Sequence, residues 1–305
     1  LGQSLGINNI PPKICSYSCI YCQVGKSLKM SVNRTNYYDP DKLIGLIKEK
    51  VRKAREFDEH IDYLTFVPDG EPTLDINLDK EIEGLKPLGI KIAVITNGSL
   101  LWMKEVRKAL QQANLVSVKV DAADEGTWSK VNHPHKDLHF KEVLDGIKQF
   151  SAEYKGKLIT ETMLVRDVND NPELFSNAAS FISEIDPHTA YISVPTRPPA
   201  FKNVKPADET ALNEAFQVFK KQIPQVELLT GYEGNSFAYT GNFEDDLLSI
   251  TAVHPMREDA VDRLLLKSHS DKSVLDKLIF EGKIVETKYG NNKFYIRKLK
   301  KGTKV

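Results

Sequence analysis

The chain has 305 residues, a hydrophobic fraction of 41%, and 42 basic (Lys and Arg) against 42 acidic (Asp and Glu) residues. This composition is ordinary for a globular protein, and the length suits one large domain or two domains. The zero formal net charge argues against a broadly cationic nucleic-acid-binding surface. The sequence has no run of 18 apolar residues and no visible signal peptide, so it predicts neither a membrane span nor export.

The first informative segment holds all three cysteines, Cys15, Cys19 and Cys22, in the spacing C-x3-C-x2-C. Soft thiolates suit iron, and iron–sulfur clusters are held by cysteine thiolates. Three thiolates on one loop can hold three corners of a [4Fe–4S] cluster and leave one iron open for a small molecule. A structural zinc site would need a fourth Cys or His nearby, and the first histidine is His60. An odd cysteine count without a secretory context also disfavours a disulfide framework.

The cysteine segment, with Tyr21 directly before its last cysteine, resembles the C-x3-C-x-aromatic-C signature of the radical SAM superfamily. Residues 5–15 (LGINNIPPKIC) resemble the wyosine-synthase-like branch of that superfamily. The resemblance implies that the open iron binds the amino and carboxylate groups of S-adenosylmethionine (SAM). It also implies reductive SAM cleavage, hydrogen abstraction by a 5′-deoxyadenosyl radical, and an electron donor such as flavodoxin or ferredoxin. Wyosine synthases carry a second cluster on extra upstream cysteines that this sequence lacks, so we expect a different, single-cluster member.

Strand and helix patterns alternate from about residue 60. Six short apolar runs predict buried strands, and amphipathic stretches predict helices, which together imply right-handed βαβ units. With an early strand near residues 6–14, we predict an α/β fold, a partial (β/α)6 barrel, as the resemblance also implies. Active sites of such sheets lie at the C-terminal ends of the strands. The predicted strands are 61–67, 91–96, 115–120, 158–165, 190–194 and 226–229, and the predicted helices are 41–55, 78–85, 101–113, 140–154, 172–185 and 208–222.

The pattern changes after Tyr239. Three short helices and a hairpin resemble a winged helix. We therefore predict a radical SAM barrel over residues 1–238 and a small winged-helix-like C-terminal domain over residues 239–305. The predicted helices are 245–248, 258–266 and 273–281, the hairpin strands are 283–288 and 293–297, and the hairpin lysines Lys283, Lys288 and Lys293 leave nucleic-acid contact open.

Two consecutive strands end in residues that suggest a SAM site. The first strand after the cysteine segment ends in Asp69-Gly70-Glu71-Pro72, which alone indicates a turn. It also resembles the GGE-type motif of radical SAM proteins, with Asp69 in place of the first glycine. The resemblance implies that the Gly70 backbone or Glu71 lies near the SAM ammonium, and Gly70 permits a close approach. The next strand exits at Asn97, an ordinary loop residue that in the family faces the ribose or methionyl group.

The strand that follows carries Ser117, Lys119 and Asp121 on one face, by the two-residue period. Three polar side chains are costly to bury without partners, so we expect them to meet a ligand in the barrel lumen. Lys119 is a candidate for the SAM carboxylate and Asp121 for the ribose or the substrate. A mutual Lys–Asp pair is the alternative. Tyr21 is predicted to pack beside the adenine.

Three further residues are predicted to contact substrate over the barrel mouth. Wyosine synthases commonly carry a basic residue near the position of Glu161, so the acid indicates a different substrate. Arg197, between prolines at a strand exit, is a candidate anion clamp, with a simple exposed turn as the alternative. His133 belongs to a His-Pro-His run whose ligand count disfavours zinc, so we predict a loop over the mouth.

The leading functional hypothesis is a radical SAM enzyme, an oxidoreductase or transferase, that abstracts hydrogen from an organic substrate. Transfer RNA is the first candidate substrate, and a peptide or small metabolite is the alternative. A second hypothesis is an iron–sulfur redox sensor whose winged helix binds nucleic acid, but the neutral charge and strand-end polar residues count against it. A third is an enzyme whose winged helix binds an RNA or peptide substrate. Metal-binding thiols and the lack of an export signal predict a cytoplasmic location and no membrane partner.

Overall fold

Seven parallel strands form the main sheet of the computed structural model, which describes residues 2–230, 239–253 and 255–298. The strands lie side by side in sequence order, and every neighbouring pair is parallel. Helices occupy most of the crossovers. The predicted α/β fold, with an early strand followed by six strand–helix units, is therefore confirmed.

The elements have the following bounds. The strands are β1 Ser4–Ile7, β2 Ile14–Cys15, β3 Lys29–Met30, β4 Tyr63–Phe66, β5 Lys91–Thr96, β6 Leu115–Lys119, β7 Lys157–Met163, β8 Thr189–Ser193, β9 Val226–Leu229, β10 Met256–Arg257, β11 Ile284–Tyr289 and β12 Asn292–Arg297. The helices are α1 Pro40–Glu56, α2 Leu78–Leu85, α3 Lys104–Leu110, α4 Glu125–Asn132, α5 Phe140–Glu153, α6 Pro172–Ile185, α7 Glu209–Lys220, α8 Phe243–Val253, α9 Glu258–Lys267 and α10 Lys272–Phe280. Helix α4, the β2–β3 pair and β10 were not predicted from the sequence.

Capping residues explain why several helices begin where they were predicted to begin. Asp39 accepts hydrogen bonds from the first amides of α1, and Pro40 occupies the first turn. Asn171 and Asp208 cap α6 and α7 in the same way. The predicted helix at 101–113 is shorter, because residues 98–103 form turns in which the Leu101 amide donates to the Gly98 carbonyl.

The two faces of the sheet meet different surroundings. Val116, Leu158 and Ile192 point to the helices and belong to the main hydrophobic core. Residues at alternate positions, such as Ser117 and Tyr191, line a cavity on the opposite face. This alternation follows the two-residue period of a strand, and it directs polar side chains into the lumen of the partial barrel.

Residues 239–298 contain a second hydrophobic cluster, built around residues such as Leu247, Val261, Leu278 and Tyr295. Strand β12 lies between β10 and β11 in a small antiparallel sheet. The predicted hairpin is thus present, and β10 adds a third strand to it. The predicted boundary at residue 238 adjoins residues 231–238, which lie outside the described residues.

Isolated polar contacts connect this C-terminal unit to the barrel. Lys50 Nζ of α1 donates to Ser249 Oγ of α8 at 3.0 Å, and the Tyr289 hydroxyl donates to the Pro195 carbonyl at 3.1 Å. Helix α8 also contributes residues to the cavity wall. Across the described ranges, none of the helices combines the length and hydropathy needed to cross a membrane.

Candidate active site

The cysteine loop connects β2 to β3, with Cys15 as the last residue of β2 and Cys19 and Cys22 in the loop that follows. All three thiols are free and partly exposed. Burial raises the pKa of each thiol, to about 12 for Cys19. Metal coordination deprotonates a thiol outright, so bound iron would supply the positive charge that these thiols need to ionise.

Three nitrogen atoms point at the cysteine sulfurs. Asn132 Nδ2 lies 3.4 Å from Cys19 Sγ, while Asn97 Nδ2 and the Tyr17 amide lie 3.6 and 3.5 Å from Cys15 Sγ. Hydrogen bonds to ligating sulfurs tune iron–sulfur clusters. No three His, Cys, Asp or Glu side chains of the described residues are close enough to bind a single metal ion, but each cysteine of a cubane binds a different iron. The residues present therefore fit a cluster with three protein ligands.

The predicted His133–His135 loop pairs with the cysteine loop. The Ser18 amide donates to the carbonyls of Asn132 and His133 at 3.0 and 3.1 Å, and the His135 amide donates to the Ser16 carbonyl at 2.8 Å. The His133 side chain is exposed, so substrate contact by His133 stays a prediction. Through its backbone, this loop supports the segment between the first two cysteines.

Gly70 lies against the strand that carries Cys15. It forms a parallel bridge with Ile14, and a Cβ atom added to Gly70 would lie 2.0 Å from the Ile14 carbonyl oxygen. The Glu71 amide donates to the same oxygen at 3.1 Å. Only glycine fits this approach, which holds the 69–71 segment beside the cysteine loop.

Glu71 connects two strand ends. Its Oε1 accepts hydrogen bonds from the hydroxyls of Thr73 and Thr96, both at 2.6 Å, and its Oε2 accepts from the Asn97 amide at 2.8 Å. Burial raises the pKa of Glu71 while these donors oppose the shift. Asn97 Nδ2 in turn donates to Ser16 Oγ at 2.8 Å. The carboxylate thus positions Asn97 against the cysteine loop.

Asp121 joins three elements beneath that loop. Its Oδ2 accepts hydrogen bonds from the Tyr21 hydroxyl and from Asn132 Nδ2 (2.7 Å), and its Oδ1 accepts from the Met163 amide at 2.9 Å. Burial, and then the Asp121 charge, raise the pKa of Tyr21 well above its usual range. These contacts fix the ring of Tyr21 and bring two predicted SAM residues together.

Lys119 pairs with Glu161, with 2.7 Å between Nζ and Oε2. The two are register partners on β6 and β7, so the predicted alternative of a Lys119–Asp121 pair is wrong in its partner. Burial lowers the pKa of Lys119, but Glu161 and then Asp121 outweigh it and hold the pKa above its usual value. The ammonium also lies 5.3 Å from the ring centroid of Tyr21.

Arg197 is buried at the end of the barrel that carries the cysteine loop, here called the cysteine end. Its side chain is 6% exposed, and its Nη1 donates to Gln23 Oε1 at 2.9 Å, next to Cys22. The alternative of a solvent-exposed turn is therefore wrong. Arg197 also lines a cavity of about 1110 Å³, together with Glu161 and Ser117. Arg197 thus lines the cavity and also contacts the cysteine loop through Gln23.

A family model matches the part of the chain that contains the cysteines, and a known relative matches nearly the whole chain. The family model described as the radical SAM superfamily matches residues 9–176. A UPF0026 protein of Methanocaldococcus jannaschii is 43% identical over 302 residues, which cover 98% of this chain and 94% of that protein. The chain therefore belongs to the radical SAM superfamily, in the UPF0026 family.

Two further comparisons concern a longer relative and a solved structure. A protein of Brachyspira hyodysenteriae named GTPase Obg is 32% identical over 295 residues, which cover 94% of this chain but only 42% of that protein. The structure of TYW1 with a lysine-pyruvate adduct bound has a TM-score of 0.56 at 17% identity, covering 72% of this chain and 74% of that one. The second likeness shows a shared fold.

Membership of the radical SAM superfamily confirms the predicted enzyme class and both predicted cofactors, a [4Fe–4S] cluster and SAM. The residues that hold these cofactors stay predictions, and the geometry above is what supports them. The sequence contains three cysteines, Cys15, Cys19 and Cys22. No other residue of the sequence can therefore supply a thiolate ligand to the cluster.

Sequence analysis missed the contribution of α4 to the radical SAM site. Asp124 caps this helix by accepting from the Thr127 amide at 2.8 Å. Trp128 Nε1 donates to the Tyr17 hydroxyl at 3.0 Å, and Asn132 contacts Cys19. The available signal was Asp124 as an N-cap followed by apolar residues at helical spacing, Trp128 and Val131.

Proposed function

We propose that this radical SAM enzyme binds its cluster through Cys15, Cys19 and Cys22 and acts on an organic substrate held in the barrel cavity. The observation that carries the proposal is the shared boundary: Arg197 lines the cavity and bonds to Gln23, the residue after Cys22. At about 1110 Å³, the cavity exceeds the range of roughly 300–1,000 Å³ usual for one small ligand. The residues assigned to SAM below do not line this cavity, so we assign its volume to the substrate.

When bound, the cluster and SAM supply reductive cleavage of the sulfonium and a 5′-deoxyadenosyl radical that abstracts hydrogen. We assign the chain's residues to binding and orientation. The backbone at Gly70 or Glu71 is assigned to the SAM ammonium, and Asn97, Lys119 and Asp121 to its ribose and carboxylate.

Tyr21 is assigned to the adenine. Its buried ring is held by the hydroxyl bond to Asp121 and lies under the Lys119 ammonium. A fixed aromatic ring next to a cysteine ligand offers a flat apolar surface, and that supports packing against a planar base. Tyr21→Leu should therefore weaken SAM binding more than it lowers iron content.

The proposal is tested by anaerobic reconstitution. We expect about four irons per chain for one [4Fe–4S] cluster and formation of 5′-deoxyadenosine from SAM with dithionite, both lost when Ser replaces all three cysteines. Glu214→Gln on the exposed face of α7 is the matched control and should change neither. Iron near twice that amount, or a cluster that survives the triple substitution, would contradict the ligand assignment. No 5′-deoxyadenosine from the reconstituted protein would contradict the activity.

We also propose that residues 239–305 form a winged-helix domain beside a barrel over residues 1–238. The order α8, β10, α9, α10, then the β11–β12 hairpin supports it, because β10 pairs with β12. Unfolding that remains a single transition for every probe, including after substitutions within the second hydrophobic cluster, would argue against a separate domain. A winged helix is a unit that commonly contacts other macromolecules, so its charges bear on the substrate.

The charges of this unit give RNA little support. Lys283 pairs with Glu244 and Glu281, and Lys293 pairs with Glu258 and Glu286. Over residues 239–305 the sequence has 13 basic and 10 acidic residues, a small excess of positive charge. Transfer RNA nevertheless stays a prediction, since phosphate contacts would make its binding fall steeply with salt. Stimulation of 5′-deoxyadenosine by cell extract that survives RNase would rule out RNA as the substrate.

A further inference from the structure

One row of polar side chains crosses the wall of the cavity. Lys119, Glu161, Tyr191 and Glu227 are successive register partners on the four neighbouring strands β6 to β9. Residues in register on parallel strands point to the same face, and Glu161, Tyr191 and Glu227 line the cavity. At a strand spacing of about 4.8 Å, the row is roughly 14 Å long.

The row starts beside the cysteine loop and moves away from it. Lys119 is the last residue of β6, and its ammonium lies over the ring of Tyr21. Glu227 is the second residue of β9, the edge strand of the sheet, and is exposed. A ligand along this row would therefore extend from the cysteine end of the barrel toward the edge strand.

The row carries one more carboxylate than ammonium. Lys119 balances Glu161 at 2.7 Å. Glu227 accepts a hydrogen bond from Tyr191, and burial followed by this carboxylate raises the pKa of the Tyr191 hydroxyl. Glu227 thus has a phenol as its partner, and its charge is not balanced within the row.

Four other charged groups line other parts of the cavity wall, and three of them have contacts of their own. Lys50 donates to Ser249, Asp246 accepts from Thr240, and Arg197 donates to Gln23. Lys157 is at the amino end of β7. Apolar side chains adjoin the row on both sides, since Leu115 and Ile159 precede it on β6 and β7 and Leu229 follows it on β9. The wall therefore combines a carboxylate row with an adjoining apolar surface.

We propose that Glu161, Tyr191 and Glu227 bind the ammonium group of a small-molecule amine whose apolar body lies on Leu115 and Ile159. The inference rests on the proposed function, because it names the class of substrate that the cavity takes. Carboxylates form strong, charge-assisted hydrogen bonds with ammonium groups. At this row, a polyanionic substrate would instead bring phosphates beside Glu227, whose charge no cation of the row balances, at a Coulombic cost.

The test uses three matched probes on the anaerobically reconstituted full chain with SAM. Phenethylamine, 3-phenylpropionate and 2-phenylethanol share a phenylethyl group and end in an ammonium, a carboxylate and a neutral hydroxyl. Isothermal titration calorimetry should give phenethylamine at least tenfold tighter binding than either other probe, as expected for one charged hydrogen bond. Glu227→Gln should remove about tenfold of that preference, and Tyr191→Phe should remove a smaller part.

Glu214→Gln on α7 is the control for a lost surface carboxylate and should leave the preference unchanged. Glu161→Gln also removes the ion-pair partner of Lys119. The midpoint of thermal unfolding of this variant is therefore compared with that of wild type before its amine binding is interpreted. Glu227 is exposed on the edge strand, and its variant carries the test if Glu161→Gln fails to fold. Equal binding of the amine and the propionate, or a preference that survives both glutamate substitutions, overturns the inference.

The same samples separate this inference from the proposed function. If 5′-deoxyadenosine forms but phenethylamine shows no preference, the amine site is wrong while the radical SAM activity stands. If the preference depends on Glu227 but no 5′-deoxyadenosine forms, the amine site stands and the activity is wrong. Binding of transfer RNA that is unaffected by Glu227→Gln, with no binding of the amine, also overturns the inference.

Discussion

The cysteine end of the barrel and the joint with the C-terminal unit are held together in different ways. At the cysteine end, buried polar side chains have several protein partners each, as Asp121 does with Tyr21, Asn132 and Met163. The joint relies on fewer contacts at its surface, such as the bond of Lys50 to Ser249 and the ion pair of Glu59 with Lys267. Buried networks are costly to break and exposed contacts are not. Single substitutions should therefore have large effects at the cysteine end and small ones at the joint.

Asp121→Ala should give the largest effect. It removes the acceptor for the Tyr21 hydroxyl, the Asn132 amide group and the Met163 backbone amide, of which the Asn132 amide keeps Cys19 Sγ as a second acceptor. A donor left unsatisfied costs roughly 1–3 kcal/mol, so the free energy of unfolding should fall by about 2 kcal/mol or more. Urea denaturation at neutral pH measures this loss.

Asp276→Asn, on the exposed face of α10, is the matched control for Asp121→Ala and should change the unfolding free energy by less than about 0.5 kcal/mol. A loss of under 1 kcal/mol for Asp121→Ala would mean that water or a rearranged side chain replaces the carboxylate. The cysteine end would then not be more sensitive to single substitutions than the joint.

The sequence predicted the individual residues of this network better than their partners. The polar face of β6 was evident from the alternation of Ser117, Lys119 and Asp121. The pairing of Lys119 with Glu161 depends on the register between β6 and β7, and register across a parallel sheet is not encoded in either strand alone. The alternation therefore identified the lumen face, and only tertiary structure could supply the ion pair.

Glu81→Gln tests a buried carboxyl on the barrel side. Burial, and then Asp75, raise the pKa of Glu81 to about 8, although Asn9 donates to it at 3.2 Å. The folded carboxyl thus keeps its proton at pH values where the unfolded one, near its ordinary pKa, has lost it. Its contribution to stability is complete below about pH 4.5 and is lost as the pH rises toward 8.

Between pH 5.5 and 7.5, wild type should lose roughly 2 kcal/mol of unfolding free energy that Glu81→Gln does not lose. Denaturant titrations at both pH values measure this difference. Glu83→Gln is the control on the same helix, where Glu83 is exposed and paired with Lys86, and its pH dependence should match wild type. Parallel curves for wild type and Glu81→Gln would show that Glu81 is ionised in the folded protein.

Asn132→Leu tests the cysteine end through the cluster. The substitution removes the amide that donates to Cys19 Sγ, and a donor at a ligating sulfur stabilises the more negative, reduced cluster. The reduction potential should fall by roughly 60 mV, equivalent to a tenfold change for one electron. Redox titration followed by electron paramagnetic resonance measures it at unchanged iron content.

Asn33→Leu, at an exposed position near β3, is the control for Asn132→Leu and should leave the potential unchanged. A reduction potential equal to that of wild type in Asn132→Leu would mean that the Asn132 side-chain amide donates to Asp121 and not to the cluster ligand Cys19. The sequence could not have indicated the contact with Cys19, because Cys19 is more than a hundred residues from Asn132 along the chain.

Tyr289→Phe should give the smallest effect, because it removes one hydrogen bond of the joint, from the hydroxyl to the Pro195 carbonyl. Such a bond contributes about 1 kcal/mol, and a phenyl ring keeps the packing. We expect a loss of at most about 1 kcal/mol in unfolding free energy, with faster hydrogen exchange limited to β11 and β12. Tyr38→Phe, at an exposed position on the barrel, should change neither measurement. A loss as large as that of Asp121→Ala would instead mean that the C-terminal unit and the barrel unfold together through this contact, and that the joint is as strongly coupled as the cysteine end.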